Sequence, residues 1–192
     1  MKIYFNLCVE GFTNSYVVVN DDPAVMEALI IDPGKISSEI IDQIERGRYE
    51  LTGVLITHNH TNHVQGLSIL KKIYSPCVYA ADYDVAGEKS IVLSGNGEVE
   101  VAGLNVKYYS VPGHSSDSMV YRIGNVLFTG DTLTSGIIGE TSSKYSKKLL
   151  RDNIVEKLYS QTEATVLMPG HGPPSTIAGE KQFNLDIPYQ LN

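Results

Sequence analysis

Short runs of hydrophobic, often β-branched residues recur along the chain, separated by turns that contain Gly, Pro, Asp or Asn. Such runs, when turn formers bound them, are typical of β-strands. They predict strands over 2–9, 15–20, 28–31, 53–56, 78–80, 98–101, 106–111, 119–123, 125–129 and 166–168. Apolar spacing of three or four predicts helices over 37–46, 64–72, 81–88, 146–159 and 176–183, the first capped by Ser37 or Ser38.

Strands followed by helices occur in two successions, and this pattern by itself indicates the α/β class. The chain has 192 residues, of which 42% are hydrophobic. That length and composition are enough to bury a core, so we expect one domain over 1–192. The segment 134–146, rich in Ser, Thr and Gly, is predicted to be a loop that either covers a functional site or is plain surface.

The most informative stretch is Thr57-His58-Asn59-His60-Thr61-Asn62-His63, directly after the buried-strand pattern of 53–56. Three of the five histidines of the chain lie here, between the end of a strand and the start of a helix. Loops at the carboxyl ends of strands converge on a crevice in layered α/β proteins. Imidazoles so closely spaced can direct several nitrogens at one small volume, as a metal site requires.

The two remaining histidines, His114 and His171, each follow an apolar run within a Gly-containing turn. Asp131 follows a third apolar run, 126–129, in the same way. One loop histidine is ordinarily only a surface residue, but five histidines and an aspartate that all sit at strand ends indicate a metal site.

These motifs resemble the metal-binding signature of the metallo-β-lactamase superfamily, His-x-His-x-Asp-His followed by a later His, an Asp and a final His. His58, His60 and His63 match the signature, and Asn62 stands where the family carries Asp. The phrases around His114, Asp131 and His171 resemble the glyoxalase II-like branch. The likeness runs from about residue 14 to about 184. It implies an αββα sandwich, two mixed β-sheets packed face to face with helices on the outer faces.

The resemblance also implies a ligand map. His58, His60 and His114 would bind one metal, and residue 62, His63 and His171 a second, with Asp131 bridging the two. The expected cofactor is one or two zinc ions, with iron as an option. Such ions can polarise a carbonyl and generate hydroxide near neutral pH. The function implied is hydrolysis of a small ester, thioester or lactone, with Asp131 and Asn62 as the candidate catalytic residues.

Asn62 weakens the predicted second site, because an amide has no charge and takes up no proton at physiological pH. Three functions therefore stay open: the hydrolase, a non-catalytic metal-binding member, and a mononuclear-iron enzyme similar to the family's persulfide dioxygenases. The iron ligands would be His58, His114 and Asp131. Against iron, Glu140 follows Gly139 where glyoxalase II-like members commonly carry Arg.

Three further expectations concern the surroundings of the site. Asp32, which ends the strand 28–31, is expected to orient an imidazole, or else only to form a turn. Five tyrosines are expected to pack or to stand at the rim of the site more readily than to line a pocket. They are Tyr108, Tyr109, Tyr121, Tyr145 and Tyr189. The helical C-terminal domain that helps glyoxalase II to hold glutathione has no counterpart in this sequence, which makes glutathione thioesters less expected.

Charge and cysteine content limit the partners. A net charge of −7 argues against nucleic acid and leaves a small molecule as the expected partner. Cys8 and Cys77 lie far from the histidine motifs and do not suggest a disulfide framework. We see neither a signal peptide nor a membrane-spanning run, and we expect a cytoplasmic protein. The oligomeric state is left open by the sequence.

Overall fold

The computed structural model describes residues 1–187. In its first half the strands are β1 (Lys2–Cys8), β2 (Thr13–Asn20), β3 (Glu27–Ile31), β4 (Glu50–Leu55), β5 (Cys77–Ala80), β6 (Asp84–Val85), β7 (Glu88–Lys89) and β8 (Ile91–Val92). In its second half they are β9 (Asn96–Val101), β10 (Leu104–Ser110), β11 (Met119–Ile123), β12 (Val126–Gly130), β13 (Leu133–Thr134), β14 (Ile137–Ile138), β15 (Val166–Pro169) and β16 (Ser175–Thr176). The helices are α1 (Ser38–Gly47), α2 (Thr61–Val64), α3 (Leu67–Ile73), α4 (Lys144–Asn153) and α5 (Ile177–Phe183).

Two six-stranded sheets form the centre of the fold, and both are mixed. The first has the strand order β1-β2-β3-β4-β5-β8, antiparallel from β1 to β3 and parallel from β3 to β8. The second has the order β16-β15-β12-β11-β10-β9, in which only β12 and β15 run parallel. The hairpins β6-β7 and β13-β14 stand apart from these sheets.

The sheets pack face to face over a core to which both contribute. Tyr16 and Leu55 from the first sheet and Phe128 from the second are members of this cluster. The rings of Tyr16 and Phe128 meet edge to face with centroids 5.2 Å apart. Because β2 buries apolar residues on both faces, its burial is nearly continuous, as expected of a central strand.

Helices cover the outer face of each sheet. Ile40 and Ile44 of α1 and Leu67 and Leu70 of α3 pack on the first sheet. On the second sheet the outer layer consists of Leu150 of α4, Ile154 and Leu158 of the following π-helical turn, and Ile177 of α5. The predicted αββα sandwich is confirmed.

Two predicted helices differ from the structure. Residues 81–88 form no helix but carry the hairpin β6-β7, because Ala86 and Gly87 both have positive φ, 51° and 83°, and so turn the chain. The helix predicted over 64–72 is broken into α2 and α3 at Gly66, whose amide nitrogen donates to Pro33 O at 2.9 Å. A Cβ at Gly66 would lie 2.6 Å from that same oxygen, so the close approach requires glycine.

The segment 134–146, predicted as a loop, contains β14 and the start of α4, which Ser143 caps by accepting from Ser146 N. Within residues 1–187, no helix is long and apolar enough to cross a membrane.

Candidate metal centre

The candidate residues lie at the ends of strands along one edge of the sandwich. His58 and His60 follow β4, and His63 lies on the short helix α2. In the second half, His114 lies on the loop between β10 and β11, Asp131 follows β12, and His171 follows β15. The apolar strands are fixed by the core, so their ends place six polar side chains at one crevice.

The first group of possible ligands consists of His58, His60, His114 and Asp131. Their ligand atoms all lie within 4.8 Å of one another and could hold a metal ion. Nε2 of His58 and Nε2 of His114 are each 3.8 Å from Oδ2 of Asp131. His60 faces the group with Nδ1, which is 3.2 Å from Nε2 of His114.

A second group shares Asp131 and adds His63 and His171, again with ligand atoms within 4.8 Å of one another. Nε2 of His63 is 3.5 Å from Oδ2 of Asp131, and Nδ1 of His171 is 2.7 Å from Oδ1. Oδ2 of Asp131 therefore lies near histidines of both groups, and Oδ1 lies near His171. This arrangement suits a carboxylate that two neighbouring ions share.

The nitrogens of two buried histidines fit a metal. Among residues 1–187, Nε2 of His58 and Nε2 of His63 are buried without a hydrogen-bond partner. A buried polar atom without a partner is costly, and coordination of an ion would satisfy both nitrogens. The donor set of imidazoles and one carboxylate is typical of zinc and iron sites.

Glycine makes room for the centre. A Cβ at Gly170 would lie 2.5 Å from Cε1 of His63 and 2.6 Å from Oδ1 of Asp131. Only a residue without a side chain allows the backbone to approach these groups so closely. Gly170, which directly precedes His171, is therefore required for the close packing around the candidate metal centre.

The buried carboxylates of Asp32 and Asp131 make the site electrostatically favourable for a cation. Burial, and after it the neighbouring His63, lowers the pKa of His58 to about 3, so its imidazole is neutral, as a ligand must be. Burial alone would lower the pKa of His63, but the carboxylates of Asp32 and Asp131 outweigh it and raise that pKa to about 10. Burial would likewise raise the pKa of Asp131, but the hydrogen bond from His171 and the charge of the neighbouring His63 hold it well below its usual range.

Asp32 orients the buried imidazole of His63. Its Oδ2 accepts from Nδ1 of His63 at 2.9 Å, which leaves Nε2 directed at Asp131. The carboxylate is itself held by Thr57, whose backbone N donates to Oδ1 at 2.7 Å and whose Oγ1 donates to Oδ2 at 2.6 Å. The expected contact of Asp32 with an imidazole is present.

Asn62 has an exposed side chain that contacts the turn between β1 and β2. A Cβ built on Gly11, whose φ is +87°, would lie 2.9 Å from both Cγ and Nδ2 of Asn62. The turn therefore packs directly against the amide. The role of Asn62 as ligand and catalytic residue stays a prediction.

The comparisons with known proteins agree with this geometry. A family model described as the metallo-β-lactamase superfamily matches residues 8–171. The chain belongs to the metallo-β-lactamase superfamily. Members of this superfamily are mostly metal-dependent hydrolases and bind divalent metals such as zinc or iron.

Individual members of the superfamily show the same likeness. The chain is 30% identical over 166 residues to a hydroxyacylglutathione hydrolase of Chromohalobacter salexigens, covering 85% of this chain and 64% of that protein. The BLEG-1 B3 metallo-β-lactamase superposes with a TM-score of 0.87 at 26% identity, over 97% of this chain and all of that one. ETHE1 from Myxococcus xanthus superposes with a TM-score of 0.83 at 25% identity, over 96% and 84% of the two chains.

A cavity of about 380 Å³ adjoins the candidate metal centre. Beside His114, Asp131 and His171, its walls include Thr134, Ser135, Ile137, Ile138, Glu140 and Pro173. The hairpin β13-β14 thus forms one side of the cavity. Another cleft of about 410 Å³ lies beside β1 and includes none of the histidines, so it is not the site of metal chemistry.

None of the four described tyrosines lines the cavity, and three of them, Tyr108, Tyr109 and Tyr121, pack against other residues as expected. Tyr121 is fully buried and donates to Ile56 O at 2.7 Å, and Tyr145 is exposed. Tyr108 packs against Gly97, and Tyr109 against the core under α4. Tyr189 lies outside the described residues.

The roles of two residues at the candidate metal centre, Thr57 and Gly130, were not predicted from the sequence. Thr57 holds Asp32, and Gly130, at φ +49°, lies so close to Thr57 that a Cβ would be 2.3 Å from its Oγ1. A glycine that ends an apolar strand was the available signal, because it marks a close approach of the backbone. The hydroxyl of Thr57 gave no signal, since its partner lies 25 residues earlier.

Proposed function

We propose that this protein is a metal-dependent hydrolase of a small ester, thioester or lactone. The observation that supports this most strongly is the convergence of two possible ligand groups on Asp131, with Nε2 of His58 and His63 buried and unpartnered among the described residues. The likeness to a hydroxyacylglutathione hydrolase also favours hydrolysis. Bound divalent ions would supply a Lewis acid for the substrate carbonyl and lower the pKa of a water molecule.

The proposed ligand roles follow the two groups. His58, His60 and His114 hold the first ion. His63 and His171 hold the second, with Asp131 shared by both. Asp32 keeps the imidazole of His63 in the orientation that binding needs. A neutral His58 requires no loss of a proton before it can coordinate.

Asn62 makes the proposed centre asymmetric. The second group has Asp131 as its one carboxylate, and the amide adds no charge. We therefore expect tight binding at the first group and weaker binding at the second.

The test of this asymmetry is the metal content of protein purified without added metal, compared with Asn62→Asp. We expect about one ion per chain in the parent and about two in the variant, because a carboxylate is a stronger ligand for a divalent ion than an amide. Asn59→Asp is the matched control, since it adds the same charge at another exposed position, three residues before Asn62. Equal metal content in Asn62→Asp and the parent contradicts this account of residue 62.

A second candidate, a mononuclear-iron enzyme of the persulfide dioxygenase type, is supported by the likeness to ETHE1 of Myxococcus xanthus. His58, His114 and Asp131 lie in one group and offer two imidazoles and one carboxylate, which suits this iron chemistry.

One experiment separates the candidates. Metal identity is determined by elemental analysis, and the same preparation is assayed with a panel of esters, thioesters and lactones and for oxygen uptake with a thiol persulfide. Zinc with ester or thioester turnover supports the hydrolase, and iron with oxygen uptake supports the alternative. Bound metal with neither activity supports a non-catalytic metal-binding protein and rejects both.

The proposed partner is a small molecule. A cavity of about 380 Å³ is at the lower end of the range for small-ligand sites. The net charge of −7 opposes a standing role with nucleic acid. We propose the cytoplasm as the compartment, because Cys8 and Cys77 are both free thiols.

A further inference from the structure

The cavity beside the metal centre has an apolar wall. Ile137 and Ile138 of β14 line it, together with Pro173. Ile137 is 47% exposed, which leaves a large part of its side chain free to contact a ligand. The main-chain carbonyl of Glu140 accepts from Nδ1 of His114 at 2.8 Å and so ties the end of this wall to the ligand group.

No Lys or Arg side chain lines this cavity in the described part of the chain. Beside Asp131, Glu140 is the one residue with a charged side chain along its walls. Lys147 lies behind the wall, but it is paired with Oδ1 of Asp186 at 2.7 Å, and Oδ2 of Asp186 accepts from the backbone of Ile138. A carboxylate placed against Ile137 and Ile138 would lose hydration and meet no Lys or Arg among the described residues that line the cavity.

Two exposed apolar residues belong to segments whose backbone pairs with segments that border the cavity. Leu185 is 84% exposed, and its backbone N donates to Gly136 O in the turn of the hairpin. Phe12 is 69% exposed and directly precedes Thr13, which pairs with His171. Exposed apolar residues next to a pocket extend the surface on which an apolar ligand group gains from leaving water.

We propose that this cavity binds an uncharged, apolar substituent of the substrate, such as the alkyl part of an acyl group. The inference rests on the proposed hydrolase function, whose substrate class it narrows. A water molecule occupies roughly 30 Å³. If each non-hydrogen group takes about the same volume, a cavity of about 380 Å³ holds on the order of a dozen such groups. An acyl group of about four to eight carbons fits, with its carbonyl toward the ligand groups.

The glutathione part of a thioester fits this cavity poorly, although a relative is named for such thioesters. Glutathione brings two carboxylates, and the walls described here offer Glu140 and isoleucines rather than a cation. The cavity is therefore assigned to the acyl side of the substrate and not to glutathione.

The test compares two series of thioesters with metal-loaded full-length protein. One series has neutral N-acetylcysteamine as leaving group and acyl chains from acetyl to octanoyl, and the other has the same acyl chains on glutathione. A fully buried methylene increases binding about fourfold, so about twofold in kcat/KM is expected per methylene in this open cavity. The glutathione series should show the same dependence on acyl-chain length, because the two series differ only in the leaving group, which lies outside the cavity.

Ile137→Asp should abolish the dependence on chain length, because it places a charge on the wall. Ile91→Asp is the matched control, since Ile91 is 49% exposed but lies on β8 at the far edge of the other sheet. A kcat/KM that is flat along the neutral series would overturn the proposal.

A binding measurement separates this proposal from the proposed function. Unreactive N-methylalkanamides of increasing length are titrated into the metal-loaded protein by calorimetry. Affinity that rises with chain length in the parent and not in Ile137→Asp supports the apolar cavity even if no ester is hydrolysed, in which case the hydrolase proposal fails by itself. Turnover without any gain in affinity along the amide series overturns the cavity proposal and leaves the hydrolase intact.

Discussion

Glu180 is a buried carboxylate that joins three separate parts of the second half of the fold. Its side chain is 1% exposed. Both of its oxygens accept from Gly136 N at 3.1 Å, Oε1 accepts from Ser175 Oγ at 2.6 Å, and Oε2 accepts from Asn184 Nδ2 at 2.8 Å. The hairpin that forms the wall of the cavity is thus anchored to β16 and to the end of α5.

Replacement of Glu180 by alanine leaves three donors without this acceptor. An unsatisfied buried donor costs about 1–3 kcal/mol, and part of the total is offset because a charge no longer has to be buried. We expect a net loss of about 3 kcal/mol in the free energy of unfolding, out of the roughly 5–15 kcal/mol that is usual for a domain. Glu180→Gln keeps one acceptor oxygen but turns an NH₂ group toward donors, so we expect about half that loss.

Urea unfolding at 25 °C measures the effect. With an m-value of about 2 kcal/mol per M, the midpoint should fall by about 1.5 M for Glu180→Ala while the m-value stays unchanged. Glu156→Ala, an exposed glutamate on the neighbouring π-helical turn, should stay within about 0.5 kcal/mol of the parent. A free energy of unfolding for Glu180→Ala within the same about 0.5 kcal/mol would refute the anchoring role.

Enzymatic activity gives an independent test of the anchoring role, in the variant Glu180→Gln. Gly136 lies between Thr134 and Ile137, which line the cavity, whereas the candidate ligands lie on other segments. Under conditions in which Glu180→Gln is fully folded, we expect a raised KM for substrates with apolar acyl groups and an unchanged metal content. Lost metal would show that the anchor supports the whole centre rather than the wall.

Two further predictions concern the centre and its support. Asp131→Ala should lower the metal content at both groups, because both share this carboxylate; Asp152→Ala, which removes an exposed carboxylate, is the control, and retained metal in Asp131→Ala would disprove the ligand map. Gly130→Ala should destabilise the fold by about 1–3 kcal/mol in urea unfolding, because its Cβ would meet Thr57 Oγ1 at 2.3 Å. Gly95→Ala has a similarly positive φ and nothing within 4 Å, so an equal loss there would mean that φ strain alone accounts for the effect.

Much of the framework could be predicted from the sequence because the signals are local. An apolar run that ends in a histidine or in Gly-Asp marks both a buried strand and the residue at its end, and His58, His114 and Asp131 are placed in this way. The face-to-face packing of two sheets is not a local property. It came from the family resemblance and is confirmed by the core around Tyr16 and Phe128.

The features that the sequence did not reveal depend on distant partners or on very short elements. Glu180 lies on an amphipathic helix and looks like a solvent-facing charge, yet it is buried because Gly136, 44 residues earlier, donates to it. Strands of two residues, such as those of β6-β7, show no measurable alternation. The composition of 81–88 predicts a helix, but Ala86 has a positive φ, which forms a turn and ends any helix there.

The division of the candidate ligands between the two sheets has a consequence for the order of assembly. His58, His60 and His63 belong to the first half of the chain, while the remaining ligands come from the second, and Thr13 meets His171 across 158 positions of sequence. Neither half alone contains a complete ligand group. During synthesis the centre therefore forms late, after the second sheet has docked, and an ion would lock a finished sandwich rather than nucleate it.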